Sequence, residues 1–432
     1  MPEFPNELGL SLSGGGYRAA AFHLGTLNKL EELGILSKVD VLSTISGGSI
    51  TGAAWCLHKG DYKRFHEEMK TALKEKSVIK AIIFSWIFIR TFLLILSLLT
   101  LAIWLTFTSW SQLSYLVFAL LIFLLLKYQF KIFNVSKVIE RTYNKFFYKG
   151  KTLHELNERP LLVIGSSNLH TGRPFSFSRL KMSDSTYAYN YSPPIVFKPE
   201  KFPIARAVMA SSCVPFIFSP VMIAGDFFDE ENDFKRIRPV LVDGGVYDNQ
   251  GIQKITQEKS SYLCRVIITS DAGGGFIADK RYPNTLALLL RSVNLFMYRI
   301  KTAQMTQHVY KNVKGSPIAY FSLDWKLQYC LSGFVKNMTD RLVPDEVISK
   351  HGFDAEWLKD PRLHQEKITA HLIQSVKYEE IIKRGLNEDQ LKIASKTGTN
   401  LRGLSEDRIN FLIRHAENLT ELQVRLYCPD LI

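Results

Sequence analysis

The sequence predicts an α/β fold built on a largely parallel sheet. Two β-turn-α units in succession carry that expectation, and later short apolar runs read as further buried strands. The first unit is the alternating run Leu8 to Ser13, the turn Gly14-Gly15-Gly16, and a segment from Tyr17 to Leu33. The second is the apolar run Val39, Val41 and Leu42, the turn Thr44-Ile45-Ser46-Gly47-Gly48, and an apolar segment from Ile50 to Leu57. Parallel neighbours need crossover connections, which helices supply.

In the first unit Ala20, Leu24, Leu27 and Leu30 fall near helical spacing, and Gly34 is a good terminator. The glycine turn admits three readings. Gly14-x-Gly16-x-x-Ala19 fits a loose dinucleotide fingerprint, with Asp40 spaced for a ribose contact. A phosphate loop fits poorly, because no Gly-Lys-Ser/Thr follows. In the third reading the glycine N–H groups converge on a carbonyl oxygen that becomes negative under attack. The exposed serine of the next unit separates the third reading from the first, since a dinucleotide fold has no use for it.

In the second unit Ser46 stands at a sharp strand-to-helix turn. Small neighbours are needed there because the backbone folds back on itself. The N-terminus of the following helix favours developing negative charge beside the hydroxyl. Thr44 stands where the usual G-x-S-x-G elbow has its first glycine. Taken alone, the stretch also reads as a Ser/Gly turn capping a helix.

Between Lys80 and Lys127 the one charged residue is Arg90, and neither glycine nor proline occurs. Two spans are predicted, Ala81 to Leu105 and Trp110 to Leu126, with Thr106 to Ser111 as the turn. The first is long enough for a hydrocarbon core of ~30 Å, and the second is at the short limit. A re-entrant or interfacial hairpin and a buried helical pair are the alternatives. Trp86, Trp104, Trp110, Tyr115 and Tyr128 lie near the ends, as an aromatic belt requires. Lys70, Lys74, Lys76 and Lys80 precede the segment, and Lys127, Lys131, Lys137, Arg141, Lys145, Lys149 and Lys151 follow it. By the positive-inside rule both ends are cytoplasmic. The same flanks attract an anionic membrane surface.

The net charge of +13 is concentrated beside this apolar run, which favours a membrane over nucleic acid as its explanation. Five scattered cysteines with no Cys-x-x-Cys, and no His pair at ligand spacing, argue against a zinc site and a disulfide framework. Met1 to Glu7 is polar with two prolines, unlike a signal peptide.

Further along, Leu161 to Ser166 returns to strand character, and Phe175 to Ser178 alternates across the turn Thr171 to Pro174, as in a hairpin. Ile204 to Ala210 reads as a helix, and Pro239 to Val242 and Arg265 to Thr269 as strands. Leu286, Leu289, Leu290, Val293, Met297 and Ile300 share one helical face, expected to pack in the core. From Asn337 onward the chain is charged and helix-rich. Asp243-Gly244-Gly245 follows the Pro239 strand, and alone it reads as a turn.

Taken together, these motifs resemble the patatin-like phospholipase family. The resemblance rests on Ser13-Gly14-Gly15-Gly16-Tyr17-Arg18-Ala19, on Ser46-Gly47-Gly48-Ser49 and on Asp243-Gly244-Gly245. Weaker matches are Leu169 to Ser178, Ala205 to Pro215, and Thr397 to Asn410 followed by Leu412 to His415. It implies a patatin-like three-layer α/β fold interrupted by a hydrophobic helical hairpin. The expected parts are 1–76 and 132–335 as the catalytic domain, 77–131 as the hairpin insertion, and 336–432 as a helix-rich region packed on that domain.

The resemblance further implies a Ser46–Asp243 dyad that cleaves lipid carboxylic esters through an acyl-enzyme, with no cofactor. Gly14, Gly15, Gly16 and Gly47 would form the oxyanion hole, and Arg18 would orient a phosphate or support the loop. A free aspartate, pKa about 3.9, is a weak base for a serine, so burial has to raise it. None of the ten histidines lies in a motif that marks a triad base. The expected substrate is membrane lipid, with the catalytic domain on the cytoplasmic side. The alternative is a degenerate, membrane-anchored scaffold of the same fold.

Overall fold

The structure, a computed structural model, describes residues 4–58, 60–230, 232–273, 282–311 and 315–432. Met1 to Glu3 of the polar N-terminus lie outside the described residues. Among the described residues one sheet contains nine strands. They are β1 Asn6–Leu12, β2 Val41–Ile45, β3 Leu161–Asn168, β4 Arg173–Phe177, β5 Met182–Asp184, β6 Val221–Met222, β7 Val240–Asp243, β8 Cys264–Asp271 and β9 Ile318–Ser322. The main order is β5-β4-β3-β2-β1-β8-β9. The stretch β3-β2-β1-β8-β9 is parallel, while the pairs β3–β4, β4–β5, β3–β7 and β6–β7 are antiparallel. The predicted α/β class is therefore the observed one.

The central strands are buried along most of their length, β2 with all five residues. Burial on both faces suits the near-continuous apolar run of β8, while β1 alternates leucine with glycine and serine, small residues that are buried as well. β3 is the branch point. Its Ser166, Ser167 and Asn168 pair with Phe175, Pro174 and Arg173 of β4 on one side and with Asp243, Val242 and Leu241 of β7 on the other. This fork brings Asp243 to the edge where β1 and β2 end.

Helix Gly16–Glu32 crosses from β1 towards β2 with twelve of its residues buried. The C-terminal helix Glu406–Tyr427 lies against it, so closely that a Cβ on Gly25 would come 2.3 Å from the Ile413 carbonyl oxygen. One apolar cluster runs from Leu8 through the elbow helix to Leu426, so the C-terminal helices share the core of the sheet. Helix Leu327–Thr339 passes straight through the expected boundary at 335/336.

Two further expectations shift. The first apolar span begins at Trp86, because the Ser85 hydroxyl accepts from the Phe88 N–H and starts a new helix, Trp86–Thr106, after Val78–Ile83. At 21 residues this helix is long and apolar enough to cross a membrane. Its partner Ser111–Lys127 has 17 residues and bends by 79° into the following helical stretch. The two helices pair, with the Ser114 hydroxyl donating to the Ala102 carbonyl at 2.8 Å. Arg90 donates to the Ile132 carbonyl at 2.8 Å, at the base of the pair. The other shift concerns helix Thr285–Gln304, expected in the core. None of its residues is buried. It lies beside the ends of β2 and β7, over Ser46 and Asp243.

Candidate active site

Ser46 follows β2 directly and has φ 48° and ψ −114°. A residue with a Cβ is strained there, and it persists only where its surroundings over-determine it. They do so here. The Ser46 N–H donates to the Ser211 hydroxyl at 2.8 Å, and the Ser46 carbonyl accepts from Ser49 and Ile50 to open helix Gly47–Leu57. Gly48 N–H donates to the Ser13 carbonyl at 3.1 Å, tying the elbow to the glycine turn. A Cβ on Gly47 would come 2.3 Å from the Gly16 oxygen, so only glycine lets the two loops touch.

The glycine turn leaves β1 with φ 143° at Gly15 and φ 59° at Gly16. Its four expected donors do not behave alike. Gly14 N–H is committed to the Asn249 carbonyl at 2.9 Å. That removes Gly14 from the free donors. Among the described residues no acceptor takes the N–H of Gly15, Gly16 or Gly47. Asp40, the acid of the dinucleotide alternative, instead accepts from Glu7 and Leu8 N–H and pairs with Arg159.

Asp243 ends β7 and is 5% exposed. Its N–H donates to the Cys213 carbonyl at 2.8 Å, and its own carbonyl accepts from Ser167 at 2.9 Å. The carboxylate accepts the Gly245 N–H at 2.7 Å, and Asp243 lines the same cavity as Ser46. Burial pushes its pKa up to about 6, against the opposing pull of the Gly245 N–H and the nearby Ser46 hydroxyl. Asp248 is occupied differently, accepting three backbone N–H groups, of Gln250, Gly251 and Gln253. It organises the turn.

Ser46, Asp243, Gly14, Gly15 and Arg18 line one cavity of about 430 Å³. Val214 and Pro215 form one wall, and Leu290, Val293 and Met297 of helix Thr285–Gln304 form another. Among the described residues no histidine lines it. His23 is buried between the Ser13 carbonyl and the Ser270 hydroxyl, and His415 bonds the Leu323 carbonyl. Arg18 donates to the Thr397 carbonyl at 3.3 Å, while its Nε has no hydrogen-bond partner among the described residues. A larger cleft of about 740 Å³ between Phe65, Met69 and Phe147 holds neither Ser46 nor Asp243. Among the described residues no group of three His, Cys, Asp or Glu is arranged to hold a metal.

Three supports were not read from the sequence. Ser211 holds the elbow N–H, Asn249 holds the glycine turn, and Lys301 pairs with Asp271 at 2.5 Å to fasten the helix above the cavity. Ser211 and Asn249 both lie within or beside motifs already singled out. Lys301 carried no local signal.

Among curated proteins none matches this sequence. Among solved structures, human GIVD cytosolic phospholipase A2 aligns with 99% of this chain at 11% identity, with TM-scores of 0.47 alone and 0.44 in its fluorophosphonate complex. The chain spans 62% and 58% of those two structures' length. VipD from Legionella pneumophila aligns over 97% of this chain and 92% of its own, at 12% identity and a TM-score of 0.28. The patatin-like phospholipase model matches residues 10–253, which take in the glycine turn, the elbow and the Asp-Gly-Gly motif. By that match the chain belongs to the patatin-like phospholipase family.

Proposed function

We propose that this protein is a membrane-associated serine acyl hydrolase of phospholipase A or lysophospholipase type. One observation carries the reading: strained Ser46 lines one cavity with a buried carboxylate, Asp243, whose pKa is pushed to about 6. Ser46 Oγ attacks the ester carbonyl, and its proton passes to Asp243. The oxyanion is held by the N–H groups of Gly15, Gly16 and Gly47. The alcohol leaves with the proton from Asp243, and Asp243 then takes a proton from the water that cleaves the acyl-enzyme. A carboxylate with a pKa near 6 is a far better base than a free aspartate, yet it remains ionised at neutral pH.

Membrane association rests on helix Trp86–Thr106 and its partner, whose outer faces are exposed and apolar. The basic flanks assign the catalytic domain to the cytoplasmic side. In this reading 77–131 interrupts a catalytic domain made of 1–76 and 132–335, and 336–432 packs upon it.

The test is covalent labelling with a fluorophosphonate on detergent-solubilised protein, the adduct being mapped by mass spectrometry. An adduct on the peptide carrying Ser46, lost in Ser46→Ala and strongly slowed in Asp243→Asn, is expected. A folded protein that takes up no probe sinks the proposal.

A further inference from the structure

The rim of the catalytic cavity is joined to the base of the apolar helix pair. Val214 and Pro215 line the cavity, and the next two residues, Phe216 and Ile217, are 59% and 57% exposed. The same loop ends at Ser219, whose hydroxyl donates to the Phe133 carbonyl at 3.4 Å and whose carbonyl accepts from Cys213 and Ser136. Phe133 in turn meets Phe88 of the first apolar helix, ring centroids 5.8 Å apart. The short loop from Val214 to Ser219 thus spans from the cavity wall to the point where the chain returns from the helix pair.

The opposite wall is equally apolar on its outside. Helix Thr285–Gln304 points Leu290, Val293 and Met297 into the cavity and leaves Leu288, Leu295 and Phe296 on its other side at 42–64% exposure. A helix apolar on both faces has no stable position in water. Besides Lys301, which is paired with Asp271, it carries Arg291 and Arg299 and no acidic residue, which suits an anionic leaflet.

From this continuity we infer that the cavity opens onto the leaflet entered by the base of the helix pair. Its substrate is then a phospholipid drawn sideways from that leaflet, with Phe216, Ile217 and the outer face of Thr285–Gln304 seated in the bilayer. The inference rests on the hydrolase reading above and adds where the substrate comes from. Phe216 and Ile217 would hold the cavity mouth in the leaflet, so acyl chains enter without crossing water and lipid in a separate vesicle is out of reach.

The experiment uses the full chain reconstituted in vesicles of phosphatidylethanolamine and phosphatidylglycerol. Labelled phospholipid is placed either in those vesicles or in separate protein-free ones. Cleavage at least about tenfold faster in the shared vesicle is expected. A Phe216→Asn, Ile217→Ser double variant should lose about tenfold on vesicle lipid and keep its rate on the monomeric ester p-nitrophenyl butyrate. Asparagine tolerates the left-handed backbone of Phe216, φ 68°, so the loop keeps its course. Equal cleavage in both vesicle populations overturns the inference, as does a double variant as fast as wild type on vesicle lipid. The vesicle comparison needs no variant, so a misfolded variant does not decide it. A wild-type protein inactive on the soluble ester as well overturns the hydrolase reading itself, and this inference with it.

Discussion

The Thr44 methyl fills the space beside Gly52: a Cβ built on Gly52 would come 2.7 Å from Thr44 Cγ2. The elbow of this chain lacks its usual first glycine, and the compensating glycine sits inside the elbow helix. Thr44 is fully buried, and its Oγ1 accepts from Ser49 at 3.0 Å. Replacing Thr44 with glycine therefore empties a packed site and frees the backbone. We expect Thr44→Gly to cost about 2 kcal/mol of stability and to bring no gain in turnover. Thermal unfolding in detergent and ester hydrolysis check both. Faster turnover with an unchanged melting temperature would show that threonine impairs the elbow.

The acid limb of the pH–rate profile should report Asp243. The base must be ionised to accept the serine proton, so kcat/KM should rise with pH and reach half its plateau near pH 6. A profile flat down to about pH 4.5 would remove Asp243 from the base role.

The same shift has a consequence for stability. The folded-state pKa of Asp243 is raised from 3.8 to about 6, so ionisation weakens the fold as pH rises between those values, and the penalty is constant at higher pH. An asparagine side chain at this position avoids that penalty and still accepts the Gly245 N–H. Asp243→Asn should thus unfold at a higher temperature than wild type at about pH 7.5, by roughly 3 kcal/mol of stabilisation from a shift of about two pKa units. The difference should vanish near pH 4, where both side chains are neutral in the fold. A variant less stable than wild type at neutral pH would show that the charged form is the one the site favours.

Gly47→Ala tests the contact between the two loops. The added methyl would press on the oxygen and nitrogen of Gly16, 2.3 and 2.7 Å away. The glycine turn must retreat, and misplacing a single oxyanion donor costs about 10²–10³ in kcat. Steady-state hydrolysis of a soluble ester is expected to show a loss in kcat of that order, with KM changed little. A variant with wild-type kcat would place the oxyanion elsewhere.

Much of this site was legible because its chemistry is local in sequence. The glycine turn, Ser46 and Asp243 each end a strand, and each needs small neighbours that sequence displays. The parallel order of β1, β2 and β3 follows from units that repeat strand and helix. Gly14 misled because its N–H is taken by Asn249, a partner 235 residues away in the chain. Helix Thr285–Gln304 misled for a related reason. Its apolar stripe has the spacing of a core helix, and periodicity cannot distinguish a core from a cavity that the helix covers. Lys301 was invisible because its partner Asp271 ends a distant strand, and one lysine at the end of an apolar helix reads as a solvated charge.

That pair gives the last prediction. Asp271 is completely buried and accepts from Lys301 at 2.5 Å, from the Tyr320 hydroxyl at 2.5 Å and from Gly273 N–H. Burial alone would raise its pKa, but the Lys301 charge and these hydrogen bonds hold it below the usual carboxylate value. A depressed folded-state pKa contributes stability above the unfolded value and loses it as pH falls through the folded one. Lys301→Met leaves the carboxylate buried without its cation, a loss of about 3–5 kcal/mol. Because the ion pair is also what fastens helix Thr285–Gln304 above Ser46, proteolysis should cut that helix faster in the variant. Adding Asp271→Asn to Lys301→Met removes the stranded charge and should restore most of the stability at neutral pH. If the double variant is no more stable than Lys301→Met alone, the loss comes from packing of the lysine stem and not from the buried carboxylate.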